Sequence, residues 1–88
     1  MNILSDIKVL EVTNNLSGAF CAKLLADLGA EVIKVELPGT GDESRGFGPF
    51  QNGESAYFTS VNRGKKSVTI DMRHQHGSTL VQRLAGRC

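Results

Sequence analysis

Between Thr13 and Phe20 the chain reads Asn14-Asn15-Leu16-Ser17-Gly18-Ala19, a turn sequence that opens onto a helix. A turn of this kind aims free backbone N–H groups and the positive end of a helix dipole at one point, which favours a phosphate or carboxylate there. The same residues also have a purely structural use, because Ser17 is placed to cap the helix. Glu36 occupies the position where dinucleotide-binding folds put the acid that holds a ribose hydroxyl. The turn before it has only one glycine, Gly18, in place of G-x-G-x-x-G, so a pyrophosphate has no close approach and NAD is not expected. Arg63, Lys65, Lys66 and Arg73 concentrate positive charge in a short stretch, suited to a ligand with several phosphates or, more blandly, to a solvated turn. His74 and His76 lack a third ligand at matching spacing and are expected on the surface rather than at a metal. Cys21 shares a helical face with three leucines and is expected in the core, where an apolar setting raises a thiol pKa.

These residues need elements to hold them. Lys8–Thr13 is rich in β-branched residues and ends in the turn pair Asn14-Asn15, which predicts a first strand. Cys21, Leu24, Leu25 and Leu28 follow at i, i+3, i+4 and i+7, the spacing of one helical face, with Gly29 placed to end that helix. Glu31–Glu36 predicts the second strand, stopped by Pro38 and Gly39. Strand, helix and strand within about thirty residues predict a right-handed βαβ unit with parallel strands. Glycines and prolines from Leu37 to Gly53 predict a long functional surface loop without regular structure. A third strand is expected at Ser67–Ile70 and a second helix at Gly77–Ala85, where Leu80, Val81 and Leu84 share a side. Three parallel strands and two helices leave a sheet edge and one face uncovered. The expectation is therefore an α/β, Rossmann-like sheet of β-α-β-loop-β-α order, with residues 1–88 forming the N-terminal part of a larger domain.

Composition narrows the classes. Ten basic and nine acidic residues leave a formal charge of +1, too even a balance to draw the molecule onto a nucleic acid. Asp6 and Lys8 interrupt the N-terminus where a signal peptide needs an unbroken apolar stretch, and no apolar run approaches the ~20 residues of a membrane span. A cytoplasmic protein without membrane contact is expected. Cys21 and Cys88 are far apart and show neither zinc nor disulfide spacing.

Three segments together carry a family resemblance. Ile7-Lys8-Val9-Leu10-Glu11-Val12-Thr13, then Leu24 to Glu36 (LLADLGAEVIKVE), then Tyr57 to Ser67 (YFTSVNRGKKS) resemble the family III CoA-transferases, which include formyl-CoA and carnitine CoA-transferases and α-methylacyl-CoA racemase. The resemblance runs from Ile7 to Leu84 and includes Gly41-Asp42 and Arg45-Gly46 of the long loop. It implies a Rossmann-like domain with coenzyme A lying over the strand ends, an interlocked homodimer, and acyl-CoA and carboxylic acid substrates, with neither metal nor NAD. It further implies an aspartate that attacks the acyl-CoA thioester and carries anhydride and thioester intermediates. That aspartate lies in the family beyond the position of Cys88, and Asp6, Asp27, Asp42 and Asp71 do not match it. No catalytic residue is assigned here. The positions that carry over as CoA contacts are Asn14, Asn15, Leu16, Ser17, Ile70 and Arg73, with Arg73 towards the nucleotide. Two departures bear on the adenine side: Ala19 follows Gly18 where the family commonly has proline, and Leu37 follows Glu36 where some members have a basic residue.

Two other readings remain open at the level of residues. The racemase branch would use the same pocket for proton transfer beside the thioester carbonyl, and residues past Cys88 separate it from the transferases. A binding module without catalysis is the alternative of a different class, and in-frame coding sequence past Cys88 would exclude it.

Overall fold

The computed structural model describes residues 3–13 and 17–88. Strand β1 (Lys8–Glu11) leads through helix α1 (Ser17–Asp27) to strand β2 (Glu31–Glu36). After a 3-10 turn at Glu43–Gly46 come a two-residue pair of strands, β3 (Phe50–Gln51) and β4 (Glu54–Ser55), then helix α2 (Ala56–Asn62), strand β5 (Lys66–Thr69) and helix α3 (Gln75–Ala85). β1, β2 and β5 form a parallel sheet with β2 in the centre, in register Lys8 with Glu31 and Ile33 with Lys66. The expected α/β parallel sheet is therefore what forms, and among the described residues no helix is long and apolar enough to cross a membrane.

Because strand side chains alternate, Val9, Glu11, Val32, Lys34 and Glu36 share one face. α1 covers it: Ala22, Ala30 and Val32 make the buried core, with Leu4, Val9, Leu25 and Ala26 packed against them. α2 lies against α1 on that side. On the opposite face Val12 and Val68 are exposed and Leu10 and Ile33 half-buried, while Val35 is buried.

α1 ends as the sequence requires. Gly29 N–H donates to Ala26 and Ala30 N–H to Leu25, the paired bonds that close a helix on a glycine. Its buried side, however, takes only Leu25 from the face that its leucines mark. Ala19 and Ala22 are buried, whereas Cys21, Leu24 and Leu28 are exposed, which corrects the expectation of a core cysteine. The reason lies at the helix start. A Cβ on Gly18 would stand 2.6 Å from Thr13 Cγ2 and 2.8 Å from its Cβ, so α1 meets the end of β1 at a distance that admits only small residues. Ala19 and Ala22 continue this narrow side, and the bulkier stripe turns outward. Gly18→Ala is expected to lower stability by about 1–3 kcal/mol, the usual cost of overpacking. A denaturant titration reads this, and an unchanged midpoint would contradict the close approach.

The loop from Leu37 to Gly53 is more ordered than its glycines and prolines suggest. Asp42 caps the 3-10 turn, its Oδ1 accepting from Ser44 N–H at 2.9 Å. Asn52 (φ 52°) and Gly53 (φ 79°) form the two-residue turn between β3 and β4, a conformation that this residue pair tolerates well. α2, absent from the sequence reading, is capped by Ser55, whose Oγ accepts from Phe58 N–H at 3.1 Å. α3 starts two residues earlier than expected because the His74 imidazole caps it, Nδ1 accepting from His76 N–H at 3.1 Å. Both histidines are exposed.

Candidate functional site

A cleft of about 240 Å³ opens at the carboxyl ends of the parallel strands. Four separate pieces of chain line it: Val12 and Thr13 after β1, Val35 to Leu37 at the end of β2, Gly41 and Asp42 from the loop, and Met72 after β5. Open parallel sheets bind ligands at this end because the strands leave diverging loops there. Its walls are mostly apolar, with carboxylates set behind them, so the surface suits a heterocycle or aliphatic chain more than a bare anion.

Directly beneath the rim lies a buried cluster of four charges. Lys34 Nζ stands 2.9 Å from Glu11 Oε2 and 2.9 Å from Asp42 Oδ2, and 3.5 Å from the Thr13 carbonyl oxygen. Lys65 Nζ stands 2.8 Å from Glu11 Oε1 and also donates to the Ala19 carbonyl at 2.8 Å and to Asn62 Oδ1 at 2.7 Å. The Lys34, Glu11, Asp42 and Lys65 side chains are each 1–2% exposed. Two positive and two negative groups cancel, the condition under which buried charge is tolerable. Burial alone would push the Lys34 pKa down, but its bonds to Asp42 and Glu11 outweigh that and raise it. For Lys65 burial prevails over the Glu11 pairing, and its pKa is lowered.

Glu36 anchors a second pairing on the other side of the loop. Arg45 donates from Nε at 2.7 Å and from NH2 at 2.8 Å, Ser67 donates its hydroxyl, and Asp42 N–H donates at 2.8 Å. Arg45 in turn lies 3.9 Å over the Phe58 ring. The Arg45 bond above all, with the Ser67 and Asp42 bonds and against the cost of burial, holds the Glu36 carboxyl down at about 2. The loop can close on this carboxylate because Gly41 (φ 72°) has no side chain; a Cβ there would sit 2.7 Å from Glu36 Oε1. Glu36 thus spends its acceptors on the fold and has none aimed at a ribose.

The residues singled out in the sequence are distributed as follows. Asn14, Asn15 and Leu16 lie outside the described residues. Ser17 is the first helical residue of α1 and is exposed, so it lies inside the helix rather than at the capping position expected of it. Ile70 is buried, its N–H donating to the Glu36 carbonyl at 3.0 Å, and thereby sets the turn that carries Met72 into the cleft. Arg73 projects into solvent with its side chain 88% exposed, 3.7 Å from Asp71 Oδ1. The basic stretch is not one patch: Lys65 is buried against Glu11, whereas Lys66 pairs with Glu31 at 3.3 Å on the exposed side. Adjacent residues at a strand start point to opposite faces, which parts the two lysines. Sequence reasoning missed Glu11 and Lys34. The available signal was a charge inside each apolar strand at positions the register pairs, Glu11 with Lys34.

A family model described as CoA-transferase family III matches residues 4–88. The chain is 48% identical over 89 residues to succinyl-CoA:glutarate CoA-transferase of Mus musculus, covering all of this chain and 20% of that protein. It is 50% identical over 82 residues to succinyl-CoA–D-citramalate CoA-transferase of Chloroflexus aurantiacus, covering 92% and 20%. Among solved structures, a CAIB/BAIF family protein from Brucella suis superposes with a TM-score of 0.89 at 41% identity, covering 100% of this chain and 25% of that one. The chain spans about a fifth of the length of the curated relatives it matches. By the family match over nearly its whole length and by its parallel sheet, the chain belongs to CoA-transferase family III.

Proposed function

We propose that this chain provides the coenzyme A-binding face of a CoA-transferase that moves CoA from an acyl-CoA donor to a carboxylic acid. The cleft at the carboxyl ends of β1 and β2 carries this reading, in a chain matched to the family across residues 4–88. In the sequence Asn14, Asn15, Leu16 and Ser17 follow Thr13, and Ile70 and Arg73 bracket Met72, and both Thr13 and Met72 line the cleft. In the proposed site the first group serves the phosphates of CoA, and Arg73 is an exposed cation at the nucleotide end.

The covalent chemistry falls to an aspartate outside residues 1–88, which forms the mixed anhydride with the acyl group and then the thioester with CoA. The carboxylates of this chain support that division. Glu11 and Asp42 face lysines in the buried cluster, Glu36 is clamped by Arg45, and Asp27 pairs with Lys23 at 2.7 Å. A nucleophile needs a lone pair directed at the substrate carbonyl; the oxygens of Glu11, Asp42 and Glu36 are directed into the fold, and Asp27 is held by Lys23 on the surface of α1. The chain by itself is therefore expected to show no acyl-CoA turnover above a buffer control. In the complete enzyme two copies are proposed to interlock as a homodimer.

Titrating CoA into the chain by calorimetry, with wild type beside Arg73→Ala, tests the reading. A charge-assisted contact is worth about 1.5–3 kcal/mol, so the substitution is expected to weaken CoA by roughly ten- to a hundredfold while leaving the melting temperature in place. Equal affinities would remove Arg73 from the site.

A further inference from the structure

Lys34 lines no part of the cleft, yet its ammonium touches two residues that do, Thr13 and Asp42, and a third, Glu11, that binds one of them. It meets the Thr13 carbonyl at 3.5 Å, the Asp42 carboxylate at 2.9 Å, and the Glu11 carboxylate at 2.9 Å. Thr13 and Asp42 line the cleft from two separate segments, one after β1 and one from the loop after β2. Glu11 fixes Thr13 a second time, accepting a hydrogen bond from its hydroxyl. A single side chain from the central strand thus ties both segments to one point beneath the cleft.

Stability alone is a poor account of this arrangement. Replacing buried ion pairs by apolar residues of similar volume is often neutral or stabilising, so four buried charges contribute little that methionines and leucines would not. What ion pairs add is a fixed geometry: an ammonium held among three oxygens has one place to be, and so have the segments that carry those oxygens. Lys65 provides the internal comparison. It is equally buried and shares Glu11, but its other partners, Ala19 and Asn62, belong to α1 and α2 and not to the cleft.

We propose that Lys34 is a positioning residue for the ligand cleft, holding Thr13 and Asp42 at the separation that admits CoA. The inference rests on the CoA reading above. Lys34→Met frees the loop from β1, and if the two segments then hold the competent separation a tenth of the time, affinity falls about tenfold. Lys65→Met loosens the packing of α1 and α2 on the sheet but leaves the two segments tied.

The test is a CoA titration of wild-type chain, Lys34→Met and Lys65→Met, with folding checked by circular dichroism and unfolding midpoints measured in parallel. Should either methionine variant fail to fold, its arginine counterpart, Lys34→Arg or Lys65→Arg, takes its place, since the guanidinium keeps the charge but does not fit the ammonium's position. Both variants are expected to lose stability, while only the Lys34 variant loses CoA affinity, by about tenfold or more, with the Lys65 variant within about twofold of wild type. Equal affinity of the Lys34 variant and wild type overturns the positioning role and leaves the CoA site standing. Equal weakening in both variants also overturns it, because a merely structural part would give that result. Absence of CoA binding in the wild-type chain removes the CoA reading and this proposal with it.

Discussion

Gly77→Ala is expected to lift α3 off the turn that follows β5 and to lower the stability of the chain by about 3 kcal/mol. Helix propensity alone points the other way, since alanine is favoured over glycine inside a helix by about 1 kcal/mol. At this position, a Cβ would stand 1.9 Å from the Asp71 carbonyl oxygen, 2.7 Å from its carbon and 3.2 Å from Ile70 Cγ2. Two of the three atoms are backbone, and the carbonyl cannot rotate away without disturbing the turn that Ile70 N–H anchors on Glu36. α3 must therefore lift. Its other apolar residues give little purchase, with Leu80 half exposed and Val81 and Leu84 only partly covered. Because the same turn presents Met72 to the cleft, CoA affinity is expected to fall along with stability. A melting curve monitored by far-ultraviolet circular dichroism decides the matter: reduced helical signal with a lower midpoint is the expected result. A midpoint at or above wild type would mean that propensity wins and that α3 does not press on Asp71.

The second large effect is an acid-labile fold centred on Glu36. Its carboxyl is held at about 2 against an ordinary 4.5, chiefly by Arg45. A depressed folded-state pKa contributes stability that is fully present above the unfolded value and is lost as pH falls through the folded one. The loss is therefore expected between about pH 5 and pH 2. Arg45 is 45% exposed, so solvent screens part of the pairing, and the contribution at neutral pH is about 2 kcal/mol rather than the full value of the shift. Glu36→Gln is expected to cost a comparable amount at pH 7 and to flatten the decline of stability below pH 5. Urea midpoints measured from pH 7 to pH 2 give both slopes, and the same decline in wild type and variant would assign the acid sensitivity elsewhere.

What the sequence disclosed, and what it hid, follows from the kind of signal each feature leaves. The parallel strands and the end of α1 were legible because β-branched runs and Gly29 are local signals, and local signals survive into the fold. The inward side of α1 was not, because the helix has two apolar stripes, Ala19 with Ala22 and Phe20 with Leu24 and Leu28. Only the three-dimensional proximity of Gly18 to Thr13 chooses between them. The glycines and prolines after Leu37 concealed a hairpin and a helix that had left their own marks, the Asn52-Gly53 pair and the cap at Ser55. Lys65 and Lys66 read as one charge run although strand alternation sends them to opposite sides. The cleft was least legible of all. Thr13, Leu37, Gly41 and Met72 come from four segments, and nothing in their spacing says that they meet. The family resemblance directed attention to Ile70 and Arg73, which flank Met72, and to the turn at Asn14–Leu16, which lies outside the described residues.

The measurement that bears most directly on the account is a CoA titration of the isotopically labelled chain followed by amide chemical shifts. Saturable shifts at Val12, Thr13, Leu37, Gly41, Asp42 and Met72, with α2 and the β3–β4 turn unmoved, are the predicted result. Absence of saturable shifts, or shifts centred on a different surface, would contradict a coenzyme A site at the carboxyl ends of these strands.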